Sequence, residues 1–175
     1  QATFSPEVLR QVRANLRLID DSLRVNPTAN RIFLRLLSDA RDPEGVLRSM
    51  NEAGVLGHFI PDFGRVISMM QFNMYHHFTV DEHLIRTIGF LSDIERGKYA
   101  LEHPVSTEII RTIDNRRALF VAVLLHDIAK GRDEDHSQEG DRIARELGPR
   151  LGLTPSETET ATWLVEHHLV MSTFA

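Results

Sequence analysis

Leu119-Phe120-Val121-Ala122-Val123-Leu124-Leu125-His126-Asp127 is the stretch whose reading decides the fold. An unbroken apolar run leaves a helix no polar face, so it predicts a buried central helix around which the others pack. His126 follows Ala122 by one turn and Asp127 follows Val123 by one turn, which turns both polar side chains inward. An unpaired carboxylate in that position is costly, and a bound cation would resolve the cost. Taken alone, the pair has a plainer reading, as polar residues closing the end of a helix.

Working outward, helix-start signals recur, each pairing a side-chain oxygen with a proline or a carboxylate just inside the helix. They are Ser5-Pro6-Glu7, Asn26-Pro27, Asp42-Pro43-Glu44, Thr79-Val80-Asp81-Glu82, Asp135-His136-Ser137-Gln138 and Thr154-Pro155-Ser156-Glu157. Three have the capping-box form, Thr79 with Glu82 among them. No segment alternates with period two between turn dipeptides, so no sheet is predicted and the fold class is all-α, a helical bundle. Val8, Val12, Leu16 and Ile19 repeat at helical spacing, as do Ile32, Phe33, Leu36 and Leu37, and both stripes read as ordinary core. Gly54-Val55-Leu56-Gly57 and Ile60-Pro61-Asp62-Phe63-Gly64 read as turns between short helices, and Arg96 to Ser106 as a loop.

Composition narrows the chemistry. The 175 residues suit one compact domain, or one domain with a helical extension. With no cysteine, disulfides, thiolate metal sites and thiol nucleophiles are excluded, so any metal must be held by histidine and carboxylate. A net charge of −5 and no dense basic block argue against nucleic acid as a partner. No apolar run is long enough to span a bilayer and no signal-peptide pattern opens the chain, so a cytoplasmic location and no membrane partner are expected. A start at Gln1 and an end at Ala175 suggest a piece of a longer protein. The expected division is a helical linker segment over residues 1–70 and a second unit over 71–175, because eight of the nine histidines lie beyond residue 75.

Those histidines carry the chemistry. His83 borders the stripe Leu84, Ile88 and Leu91; His168 shares a face with Ala161, Leu164 and Val165; His136 precedes Ile143 by seven residues and Gly140 by four. Each spacing turns the imidazole inward, whereas His167 should stack over Trp163. One such histidine is more often an ordinary core or surface residue. Four of them with Asp127, on four helices aimed at one core, each need a partner, and a metal supplies all the partners at once. Imidazole with carboxylate suits Mn, Fe, Ni or Zn, and Mg only with several waters. Glu82 reads as the partner of the Thr79 cap and Asp81 as a first-turn acid. His76 and His77 could line a mouth or simply be solvated, and His58 and His103 are assigned to the surface. Lys130, beside flexible Gly131, is placed either to bind a phosphate or to stand in solvent.

The order His83, His126-Asp127-Ile128-Ala129-Lys130, His136, His168 resembles the HD superfamily of metal-dependent phosphohydrolases. Met74-Tyr75-His76-His77-Phe78-Thr79-Val80-Asp81-Glu82-His83 and Trp163-Leu164-Val165-Glu166-His167-His168-Leu169 are similar to one branch of it, the bifunctional PII uridylyltransferase/uridylyl-removing enzymes of bacterial nitrogen signalling. Met50-Asn51-Glu52-Ala53-Gly54-Val55-Leu56 and Ile60-Pro61-Asp62-Phe63-Gly64 resemble the helical segment before their HD domain.

This resemblance implies hydrolysis of UMP from a uridylylated tyrosine of the PII signal protein, with a divalent cation, Mn or Mg, as cofactor. It also implies a nucleotidyltransferase domain before this chain and glutamine-sensing ACT domains after it. Metal ligation is then expected from His83, His126, Asp127 and His168, with His136 extending the site to a second metal or to the phosphate. Lys130, His136 and Asp127 are the expected catalytic residues. The superfamily usually closes its site with a late aspartate and none follows His168, which predicts weakened metal affinity. The rival readings are another HD hydrolase, such as one acting on guanosine polyphosphates or deoxynucleotides, a non-catalytic module binding PII or metal, and a plain bundle.

Overall fold

A computed structural model describes residues 5–70, 78–132 and 136–170. Among these residues the fold is all-α: α1 (Pro6–Ala14), α2 (Asp21–Arg24), α3 (Pro27–Ser38), α4 (Pro43–Glu52), α5 (Val55–Phe59), α6 (Pro61–Val66), α7 (Val80–Glu95), α8 (Pro104–Ile109), α9 (Arg116–Leu125), α10 (His136–Leu151) and α11 (Pro155–Glu166). The only extended pairing among them is an isolated bridge between Met70 and Thr79.

Local sequence explains most helix starts. Proline occupies the first turn of α1, α3, α4, α6, α8 and α11, where its missing N–H costs nothing. Ser5, Asn26 and Asp42 accept hydrogen bonds from first-turn amides, and Thr154 and Glu157 form the full capping box of α11. Thr79 makes no such cap, and Glu82 instead pairs with Arg48 of α4 at 2.5 Å. The ion pair across two helices wins over the local box because Arg48 reaches both Glu82 and Glu44. The expected capping box at Asp135 lies outside the described residues.

Central α9 is buried as its composition requires, with Phe120, Val121, Leu124 and Leu125 fully enclosed. It packs against α7 and α11, while α10 lies along α11 and touches α3, and α4 lies along α7. One continuous core joins Phe33, Leu37, Leu47, Leu56 and Phe63 of the first helices to Leu84, Phe120, Ile143 and Val165 of the later ones. The stripe that begins in α1 departs from expectation, since no residue of α1 is buried, Val8 is exposed, and Val12, Leu16 and Ile19 are only partly buried. In α3 the inward residues are Phe33, Leu34 and Leu37, and Ile32 faces solvent. The expected loop at Arg96–Ser106 is shorter than predicted, because Pro104 starts α8.

Candidate metal centre

The chain leaves α9 at Leu125, and His126 and Asp127 emerge on the turn that follows. Asp127 is 4% exposed, and every charged or imidazole group around it comes from a different element except its own neighbours His126 and Lys130. His83 stands in the first turn of α7, His136 at the first residue of α10, and His168 just past the end of α11.

Two groups of ligand-type atoms share the Asp127 carboxylate, one with His83 and His126 and one with His136 and His168, each within 4.8 Å of one another. His83 Nε2 lies 3.1 Å from His126 Nε2 and 3.6 Å from Asp127 Oδ2. His126 Nε2 is 3.5 Å from the same oxygen, and His168 Nε2 is 3.5 Å from Oδ1. Lys130 Nζ closes on Oδ2 at 2.6 Å.

The backbone sets the tautomers. His126 Nδ1 lies 2.8 Å from Val123 O and His168 Nδ1 lies 2.7 Å from Val165 O. A carbonyl only accepts, so each Nδ1 carries the proton and donates, which leaves Nε2 as the lone-pair nitrogen of the neutral ring. His168 Nε2 is buried and has no hydrogen-bond partner among the described residues. A buried lone pair without a donor is expensive, and a cation among these nitrogens and Asp127 satisfies it. The donor set therefore fits a divalent metal.

Electrostatics agree. Burial holds the His126 pKa below that of a free imidazole, against the pull of Asp127, so this ring is neutral and able to ligate at neutral pH. Burial alone would raise the Asp127 carboxyl, but His168, His126 and Lys130 overcome it and hold the group well below the usual carboxylate range. For His168 burial also works against the charged form, yet the adjacent Asp127 and the Val165 carbonyl raise its pKa. A cation binding there would displace that proton.

Other residues singled out in the sequence fall elsewhere. His167 stacks on Trp163 with ring centroids 4.7 Å apart, away from the cluster. His58 is exposed, and His103 packs edge-on against Phe90 at the surface. His76 and His77 lie outside the described residues. Asp81 is more than a first-turn acid: it is buried, and it accepts hydrogen bonds from Asn51 Nδ2 at 2.8 Å and from the Ser68 amide at 3.0 Å.

Sequence reasoning gave no role to Arg132 and Asp62, which hold the turn after Lys130. Arg132 bridges Asp62 of α6 and buried Glu139 of α10. Gly131 between them has φ +77°, a backbone conformation that favours glycine. Only the unusual Lys130-Gly131-Arg132 charge pattern hinted at an anchor, because Asp62 is distant in sequence.

Residues 80–173 match the family model of the HD domain, over half of the chain, and the chain belongs to that family. With the histidine–aspartate cluster this defines a metal-dependent phosphohydrolase. Residues 1–59 match a second model, the uridylyltransferase GlnD third domain. The two matches in this order are those of a GlnD-type bifunctional PII uridylyltransferase/uridylyl-removing enzyme.

Proposed function

We propose that this domain removes UMP from the uridylylated PII signal protein. The observation that carries the reading is the Asp127 carboxylate shared by two groups of histidines, in a chain whose first helices match the GlnD third domain. His83, His126, Asp127 and His168 would hold the cation, and His136 would serve a second cation or the substrate phosphate. Manganese or magnesium is the expected cofactor, with Fe, Ni and Zn also suited to the donor set. When bound, the cation supplies Lewis-acid polarisation of the phosphoryl oxygens and a lowered pKa for water.

The chain's own residues do the rest. The Val123 and Val165 carbonyls keep the His126 and His168 rings turned with Nε2 toward Asp127. Lys130 Nζ, a quarter exposed beside Asp127, is positioned to meet charge developing on the phosphoryl oxygens. The leaving group is a tyrosyl oxygen with a pKa of about 10, which needs less protonation than an alkoxide. In this reading Lys130, His136 and Asp127 are the catalytic residues.

A linker segment over residues 1–70 would then precede an HD unit over 71–175, with a nucleotidyltransferase domain and ACT domains flanking them in the full enzyme. The test is UMP release from uridylylated PII with added manganese, alongside His126→Ala and Asp127→Ala. Release by the parent alone supports the reading, and chelator should abolish it reversibly. Turnover of guanosine polyphosphates in preference to uridylylated PII would favour the alternative HD activity instead.

A further inference from the structure

We propose a second, separate site: the cavity between α3 and the C-terminal end of α10 binds a small phosphate-bearing anion. The cavity measures about 550 Å³ and is lined by Pro27, Arg31, Leu34, Arg117, Pro149 and Arg150, among others. That volume lies within the range of small-molecule sites, about 300–1,000 Å³. Its charged lining residues are three arginines and no acid, and no residue of the metal centre borders it.

The three guanidinium groups are not equally compensated. Arg117 is neutralised by a two-pronged pair with Glu157, both bonds 2.9 Å. Arg31 makes no hydrogen bond or ion pair among the described residues. Arg150 is largely enclosed, and it donates Nη2 to Phe59 O at 3.1 Å and lies over the Phe59 ring, while its Nε has no partner among the described residues. Next to it Arg24 donates Nε to His58 O at 2.8 Å, so two arginines cap successive carbonyls at the end of α5. Capping explains one N–H of Arg150, but no carboxylate pairs with it directly among the described residues, and the more distant Glu146 and Asp62 offset only part of the effect of burial and of Arg24. Burial and the neighbouring Arg24 accordingly push its pKa below the usual arginine value.

An enclosed cation without a direct ion-pair partner is costly. An anion in the cavity removes that cost, and the planar forks of Arg31 and Arg150 match phosphate oxygens in pairs. The cavity also lies at the seam between residues 1–59 and residues 80–173, so a ligand there would bind the two matched segments to one another.

The experiment is thermal melting with inorganic phosphate and, in a second arm, with UMP, both in chelator so that the metal centre is silent. At tenfold over its dissociation constant the ligand should raise Tm by about 3–5 °C. Arg31→Ser, at an exposed position that should fold normally, and Arg150→Lys, which keeps the charge but loses the fork, should each weaken binding about tenfold or more. Lys130→Ala should leave the response intact. Equal midpoints for phosphate and UMP assign the phosphate group alone, and a tighter UMP response lost in Arg31→Ser assigns a nucleotide. An absent response, an unchanged one in Arg31→Ser, or one lost in Lys130→Ala overturns the site.

Discussion

Replacing Arg132 with alanine tests whether the turn after Lys130 is held in place by charge. The guanidinium sits between Asp62 and Glu139, with side-chain exposures of 16%, 29% and 8% respectively. The two losses are unequal. Glu139 keeps Arg142, which donates Nε at 2.8 Å and Nη2 at 2.7 Å, so it is not left alone. Asp62 loses its close partner but remains within reach of water. A charged hydrogen bond contributes about 1.5–3 kcal/mol, and orphaning a fully buried charge costs about 3–5 kcal/mol, so this partly relieved case should cost about 2–3 kcal/mol. For a chain of this length the loss lowers Tm by about 4–12 °C. Thermal and urea melts of the metal-free protein read it directly, and a double-mutant cycle with Asp62→Ala isolates the bridge. The cycle should show coupling of about 1 kcal/mol or more, because the pair is in contact. A Tm change under about 1 °C, or additivity within about 0.5 kcal/mol, would refute the reasoning. UMP release measured well below the melting point should also fall, since Lys130 stands two residues before Arg132.

Lys130→Ala should lower kcat for UMP release by about 10²–10³-fold while metal content, measured by elemental analysis, stays unchanged; an unaltered kcat would restrict Lys130 to a structural partner of Asp127. Acid stability should carry the signature of Glu139, whose pKa is lowered to about 2 from 4.5 by its bonds to Arg142, against burial and with further help from Arg132. Because the folded pKa is the lower one, its contribution is complete above pH 4.5 and disappears as pH falls through about 2. Urea midpoints across that window should fall less steeply in Glu139→Gln than in the parent, and parallel curves would contradict the assignment.

Much of the architecture was legible from the chain. An apolar run with no polar face can only be a buried helix, and α9 is one; a side-chain oxygen followed by proline marked the starts of α1, α3, α4 and α11, which depend on neighbours a few residues away. Helical spacing also aimed His83 and His136 inward, since which way a side chain turns is a property of one helix, whereas His168 lies on the turn after α11. What one helix cannot determine is what it meets. The stripe that begins in α1 has the periodicity of a core element, yet it stays at the edge: only Ile19 packs against the core, and no residue of α1 is fully buried. Glu82 had a local partner in Thr79 and took Arg48 from another helix instead.

The distances that make a metal centre plausible, from His83 to His126 and from His168 to Asp127, depend on how α7, α9 and α11 pack, and so on the whole core. The carbonyls that set the two imidazole tautomers lie three residues back along the chain, but only the folded turn brings them to Nδ1. Sequence by itself determined the all-α class, the longer helices and the kinds of ligand available. Tertiary structure alone decided which polar groups meet: Arg132 pairs with Asp62, Asp81 accepts from Asn51, and Arg150 has no direct acidic partner among the described residues. Pairing energies fall steeply with distance, and distances between remote residues exist only once the core has formed.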